Sequence, residues 1–304
     1  MSGLLLSMQG AVSQGVLWGI MVLGVYITYR ILDIADLTVD GSFALGGCIC
    51  ATLVVGAGWN PILALTASAA AGLVAGAITG FLHTAFEIPA ILSGILTQIA
   101  LWSINLRIMG GKSNIPLLKS DTIFSWIVDV TGLTQSQVSM LVGIVIAALM
   151  IALLYCFFGT ELGAALRATG DNEDMARALG VNTKSTKMLA LMLSNGLVAF
   201  SGGLVCQSQK YADINMGTGA IVIGLAAIVI GGVLMGRLCA FGSKLASAVV
   251  GAVAYFLIRA IVLRMGMDAN DMKLLSAIIV AFALWIPIAM NKWRIKRSYM
   301  GGGN

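Results

Sequence analysis

Apolar residues run through this chain in long blocks separated by short polar breaks. Nine blocks approach the ~20 mostly apolar residues that a helix needs to cross a bilayer. They are Gln14–Tyr29, Gly41–Val55, Pro61–Leu82, Ile88–Ile108, Val138–Phe158, Met188–Val205, Gly219–Leu234, Leu245–Leu263 and Leu274–Met290. In hydrocarbon each backbone N–H and C=O must be satisfied inside its own segment, so blocks of this kind predict helices. The pattern predicts an all-α, polytopic membrane protein with about nine transmembrane segments. The second and seventh blocks are short and glycine-rich, and are expected to be broken or re-entrant helices.

Composition agrees with this. Of the 304 residues 59% are hydrophobic and only 10% are charged, whereas soluble domains carry roughly a quarter charged residues. That excludes a water-soluble globule. The 37 glycines suit close helix–helix approach in lipid. The start, MSGLLLSMQG, has no basic segment ahead of its apolar run, so no cleavable signal peptide is expected and the first block is the first span. Cys48, Cys50, Cys156, Cys206 and Cys239 have no His or acidic cluster around them, and are expected to pack as small apolar side chains.

Basic residues set the expected orientation. Arg30, Arg167, Arg177, Lys184, Lys187, Arg237, Lys244, Lys292, Arg294, Lys296 and Arg297 fall on one side of the nine-span arrangement, 11 of the 18 Lys and Arg. This predicts a cytoplasmic C-terminal tail (about 291–304) and an external N-terminus. The polar stretch Gly110–Gln137 is then external, with room for a short helix around Ile123–Val128, and Gly159–Lys187 is cytoplasmic. No other stretch could form a soluble domain, so residues 1–304 read as a single membrane domain.

Candidate chemistry narrows the function. Gly110-Gly111-Lys112-Ser113 looks like the end of a phosphate-binding loop, but Leu106 stands where its first glycine is required. ATP chemistry, if any, belongs to another polypeptide. No cofactor or metal is expected on this chain, nothing predicts a nucleic-acid partner, and the lone His83 is given no catalytic role. The stretch 159–187 predicts two short helices. Thr160 caps the first and Gly170 ends it in a left-handed conformation; Asp171 or Asn172 caps the second and Gly180 ends it. On the second helix Met175, Ala176 and Leu179 form an apolar patch among charges, which needs something to dock on.

Polar residues inside or beside the spans are candidates for a pathway. Asp33, Asp36 and Asp40 flank the start of the second span, and Thr38, Asp40 and Ser42 are all good helix caps. They read either as a solvated, capped turn or as part of a gate. In the second case Asp36 or Asp40 faces an ammonium group and a helix start faces a carboxylate. Gln98, Trp102 and Asn105 share one helix face, with Asn195 on another span; interhelical hydrogen bonding competes with a pathway role there. Trp102 could flank an aromatic ring. Arg259, a turn from the outer end of its span, is expected to snorkel.

The cytoplasmic stretch resembles permeases of the branched-chain amino acid and ribose/sugar ABC importers. Gly163, Arg167, Ala168, Asp171, Met175, Ala176, Leu179, Gly180, Asn182 and Thr183 match that family's loop pattern. Ala226, Ala227, Gly231, Gly232, Gly236, Gly242 and Gly251 match a later glycine pattern, and Leu37–Phe43 resembles a signature of the tryptophan/tyrosine subgroup. Met235–Cys239 departs from the family's usual short turn. The resemblance implies a multi-pass permease of the bacterial cell membrane whose second cytoplasmic helix is a coupling helix. Arg167, Asp171, Asn172, Met175, Ala176, Leu179 and Gly180 would then join it to an ABC ATPase that carries ATP and Mg. It further implies an external or periplasmic substrate-binding protein and a second permease copy, as a homodimer. Asp36, Thr38, Asp40, Ser42, Gln98, Trp102, Asn105 and Asn195 are the candidates for the translocation pathway.

The implied function is amino acid import by alternating access, with an aromatic amino acid as substrate. Branched-chain amino acids, nucleosides or sugars are the alternative substrates, and an ion-coupled secondary transporter is the alternative class. That class would place ionisable residues near span centres, where the sequence shows almost none. The orientation is checked by single-cysteine labelling from outside sealed cells: Lys119→Cys should react and Asn172→Cys should not, and the reverse result overturns it.

Overall fold

The structure, a computed structural model, describes residues 2–118, 120–235, 240–266, 271, 274, 276–282 and 285. Eleven α-helices are named here in chain order. They are α1 (Ser2–Tyr26), α2 (Thr38–Ala51), α3 (Pro61–Thr84), α4 (Ala90–Ile108), α5 (Ile123–Thr131), α6 (Gln135–Phe158), α7 (Glu161–Asp171), α8 (Glu173–Ala178), α9 (Thr183–Gln209), α10 (Ala220–Met235) and α11 (Phe241–Arg264). Single π-helical turns, Ile27–Ile31 and Thr52–Gly56, continue α1 and α2.

Among the described residues, 7 helices are long and apolar enough to cross a membrane, against the nine expected. The difference has two sources. The seventh block forms α10, only 16 residues long, which is the short helix expected there. The ninth block, Leu274–Met290, lies largely outside the described residues, although 276–282 are helical. Lys119, Arg237 and the tail 291–304 also lie outside them. The short helix expected around Ile123–Val128 is α5, where Thr122 and Ser125 cap each other reciprocally. One element was not expected. β1 (Asn114–Pro116) pairs antiparallel with β2 (Tyr211–Asp213), joining the α4–α5 connection to the exit of α9.

α9 lies at the centre of the bundle. Cβ atoms added at Gly46 and Gly72 would overlap the carbonyls of Ala199 and Asn195, and one on Gly202 of α9 would overlap that of Phe43. Missing side chains therefore let α2 and α3 lie directly on the α9 backbone. Two hydroxyls fasten α1 to the same helix: Ser194 donates to the Gly24 carbonyl and Ser201 to that of Leu17, both at 2.8 Å. α11 packs against α10 by the same use of small residues, at Gly231 and Gly251.

One end of the bundle is made by α7 and α8. The end of α1 meets it where Gly170 touches Ile31, and Lys184 at the start of α9 pairs with Glu87 beyond α3 at 3.2 Å. The β1–β2 pair marks the other end. Between them α6 exposes an apolar stripe including Leu141, Ile144, Val145, Leu149 and Leu153, a surface suited to lipid.

A branched side chain at Gly46 has only backbone to push against. Gly46→Val should destabilise the detergent-solubilised protein by roughly 1–3 kcal/mol, read as a lower melting temperature. Gly232→Ala, where a Cβ meets nothing within 4 Å, should leave it unchanged. Equal melting for both variants would contradict the packing at α9.

Candidate functional site

The first N–H groups of a helix have no partner within it. α2 begins inside the bundle, so its start needs acceptors supplied by the protein. Asp36, 2% exposed, provides them: one carboxylate oxygen accepts from the Thr38 N–H at 2.9 Å and the other from the Asn195 amide at 2.7 Å. The Asn195 side-chain oxygen accepts from the Ser42 hydroxyl at 2.7 Å, and its nitrogen also donates to the Leu191 carbonyl at 3.0 Å. Thr38 shares a 2.8 Å hydroxyl contact with Thr79 of α3. The solvated-turn reading of this segment is thereby overturned for Asp36, Thr38 and Ser42; only Asp33 is exposed. The cap also differs from expectation: Asp36 caps α2, in place of Thr38, Asp40 or Ser42.

Asp40 caps a different helix. Its oxygens accept from the N–H groups of Gly219 at 2.8 Å and Ile221 at 2.9 Å, at the start of α10. α10 therefore also begins inside the bundle, on a carboxylate from α2, and that position favours negative charge. One buried carboxylate, Asp36, and one partly buried, Asp40, thus stand at these helix starts. Both are matched by N–H donors rather than by cations.

A cavity of about 300 Å³ lies on the α4 side of α2. Asp40, Gln98, Trp102, Asn105 and Thr218 line it, together with Ser103, which sequence reasoning passed over although it is a polar residue within a span. The eight pathway candidates thus divide. Asp40, Gln98, Trp102 and Asn105 face one cavity, whereas Asp36, Thr38, Ser42 and Asn195 form the hydrogen-bonded anchor beside it. A larger cavity, about 600 Å³, lies between α1, α10 and α11 with Arg259 in its wall. The Arg259 guanidinium carbon lies 5.8 Å from the centre of the Phe256 ring, so it faces protein as well as the helix end.

At the α7–α8 end Thr160 caps α7 and Asn172 caps α8, accepting from the Met175 N–H at 2.9 Å. Gly180 is left-handed, with φ +87°, as expected. Gly170 is different: it is helical, and it is needed because a Cβ there would overlap the Ile31 carbonyl. The apolar patch also needs correction. Met175 and Leu179 are 55% and 72% exposed, whereas Ala176 is fully buried against the bundle. Asp171, at the end of α7, and Arg167 are both exposed; Arg167 also folds back to donate to the Phe158 carbonyl at 3.0 Å and lies over the Phe241 ring.

Glu173, missed from sequence, ties α8 down. It pairs with Arg177 at 2.9 Å and with Lys187 of α9 at 2.5 Å. The Lys187 hydrogen bond holds the Glu173 carboxyl below its ordinary value. This contribution is present above the unfolded carboxylate pKa and is lost as pH falls through the lowered folded value. His83, placed without a catalytic role, contacts the Ile88 carbonyl at 2.8 Å.

Residues 7–284 match the family described as branched-chain amino acid transport system, permease component. The chain is 40% identical over 276 residues to a tyrosine transport system permease protein of Clostridioides difficile (strain R20291), covering 90% of each. It is 33% identical to an uncharacterized protein of Rickettsia prowazekii (strain Madrid E), over 90% of this chain and 95% of that one. With the ribose import permease protein of Escherichia coli (strain K12) it shares 24% identity, over 83% of this chain and 76% of that one.

The anchor at the start of α2 can be tested by removing its centre. Asn195→Leu takes the acceptor from the buried Ser42 hydroxyl and the donor from one Asp36 oxygen, leaving Asp36 only the Thr38 N–H, at about 1–3 kcal/mol per group. The variant should melt well below the parent in detergent, whereas Gln98→Leu, on the cavity side, should melt close to it. The opposite order would refute the division into anchor and cavity.

Proposed function

The chain belongs to the family of permease components of branched-chain amino acid transport systems and is an ABC importer permease; from that premise we propose that it moves an aromatic amino acid, tyrosine or tryptophan, into the cytoplasm. The observation that carries the substrate class is the 40% identity with a tyrosine transport system permease over 90% of both chains. The cavity supports the same reading, because Trp102, 50% exposed, offers a flat face beside polar groups. Most selectivity belongs to an external substrate-binding protein, since a tight site here would slow release.

Coupling falls to α8. Met175 and Leu179 project from a short helix whose other side is buried, a shape that fits a groove on an ATPase subunit. Glu173 links that helix to Lys187 of α9. Force on α8 would therefore pass to α9, on which α1, α2 and α3 all rest. Asn195 would carry it to the start of α2, and Asp40 onward to α10. Opening and closing of the ATPases thus becomes a rigid-body alternation of access. ATP and Mg belong to that partner.

A second copy of this chain completes the pathway. The outer face of α4 exposes Trp102 and Ser103 beside the cavity, a more polar surface than the stripe on α6. Polar groups at such depth normally face protein or a water-filled path.

Replacing Met175 or Leu179 with Asp puts a charge into a desolvated contact, weakening docking by at least about 2 kcal/mol, or roughly 30-fold. Both variants should insert normally but lose substrate-stimulated ATP hydrolysis and uptake in vesicles holding the whole complex; normal coupling would overturn the α8 assignment. In the same vesicles tyrosine or tryptophan should accumulate in preference to leucine and ribose. Uptake of ribose alone would remove the substrate assignment and leave the importer standing.

A further inference from the structure

The cavity between α2, α4 and the turn before α10 has acceptors that the fold itself does not use. Asn105 is 1% exposed and lines the cavity. Its amide nitrogen is turned to the Gly41 carbonyl, 3.5 Å away. A carbonyl can only accept, so the nitrogen must face Gly41, and this leaves the Asn105 side-chain oxygen without a partner. A buried acceptor left unpaired is costly. The oxygen itself is buried, but the residue stands in the cavity wall, so a small turn of the side chain brings this acceptor to a visiting donor.

The surroundings specify the donor. Asp40, in the same wall, is a carboxylate engaged by the backbone at the start of α10, chiefly by the N–H groups of Gly219 and Ile221; a carboxylate offers about four lone-pair sites, so acceptor capacity remains. No Lys or Arg is among the described lining residues. Trp102 adds an aromatic face, which attracts a cation. A carboxylate finds no such welcome, because the nearest helix start, that of α10, is already taken by Asp40. Asp36 is ruled out as the acceptor, since it is committed to Thr38 and Asn195 on the anchor side.

We propose that this cavity is a transit site for a primary ammonium group, received by the Asn105 side-chain oxygen and Asp40, with Trp102 beside the carbon skeleton. Only the identity of the ligand as an amino acid rests on the function proposed above. The site selects for the amine end and is indifferent or unfavourable to the carboxylate end. A free amine of similar size would therefore enter it, and the corresponding acid would not. Because Asp40 also holds α10, an ammonium ion that draws on its lone pairs acts at the junction between two helices that begin inside the bundle.

The test uses Ser103→Cys, exposed on α4 in the cavity wall, in the full complex in vesicles. Modification at position 103 is read by peptide mass spectrometry, so the native cysteines remain. Rates with 2-aminoethyl methanethiosulfonate (a cation) and 2-sulfonatoethyl methanethiosulfonate (an anion) are compared, each relative to 2-mercaptoethanol in solution. The cation should be favoured on the order of tenfold. Asn105→Leu, which removes a neutral acceptor and leaves Asp40 in place, should weaken protection by tyramine, and Asn105→Asp, which keeps the shape and adds a charge, should raise the ratio. Tyramine should protect position 103, and 3-(4-hydroxyphenyl)propionate should not. Equal rates for the two reagents, or protection by the acid as strong as by the amine, would overturn the site. The labelling needs neither ATP nor a binding protein. Equal rates with intact tyrosine uptake would therefore remove the ammonium site alone, whereas a preserved ratio without amino acid uptake would remove the substrate assignment alone.

Discussion

Two helices of this protein begin inside the bundle, and their first N–H groups must find acceptors where there is no bulk water. Asp36 serves α2 and Asp40 serves α10. Much of the interior follows from these two carboxylates. Asp36 needs a second donor, and Asn195 supplies it from the central helix. Asn195 in turn orders Ser42 on α2. Asp40 sets the depth at which the chain turns to start α10, and so fixes one wall of the cavity. At both sites the N–H donors and the carboxylate satisfy one another.

α9 gives these anchors their reach. Close backbone approach at Gly46, Gly72 and Gly202 leaves α2 and α3 no room to slide independently of it. Lys187 on the same helix meets Glu173, next to the exposed Met175 and Leu179. The part of the chain best placed to meet a partner is thus linked by a short series of contacts to the cavity in the bundle. This arrangement suits a permease, whose work is to convert a push at one end into altered access within. The cavity is built for weak contact: one unpaired acceptor, one carboxylate already engaged, and one half-exposed indole.

Local features were legible in the sequence because their causes lie within a few residues of one another. Apolar blocks of bilayer length announce helices wherever they occur, and the shortness of the seventh block announced α10. Asn172 caps α8 and Gly180 ends it through chemistry confined to a single turn. Tertiary structure decided what depends on which helices cross. Gly170 looked like a helix terminator, yet it is a helical contact point for Ile31, a residue far away in the chain. Asp40 looked like a cap for its own helix, yet it caps α10, which starts far along the chain at Ala220. Gln98 and Asn105 share a helix face that the sequence shows, but only the crossing of α2 and α4 turns the Asn105 nitrogen to Gly41 and leaves its oxygen without a partner. Periodicity and capping are short-range; the pairing of a buried donor with its acceptor is settled only when separate helices meet.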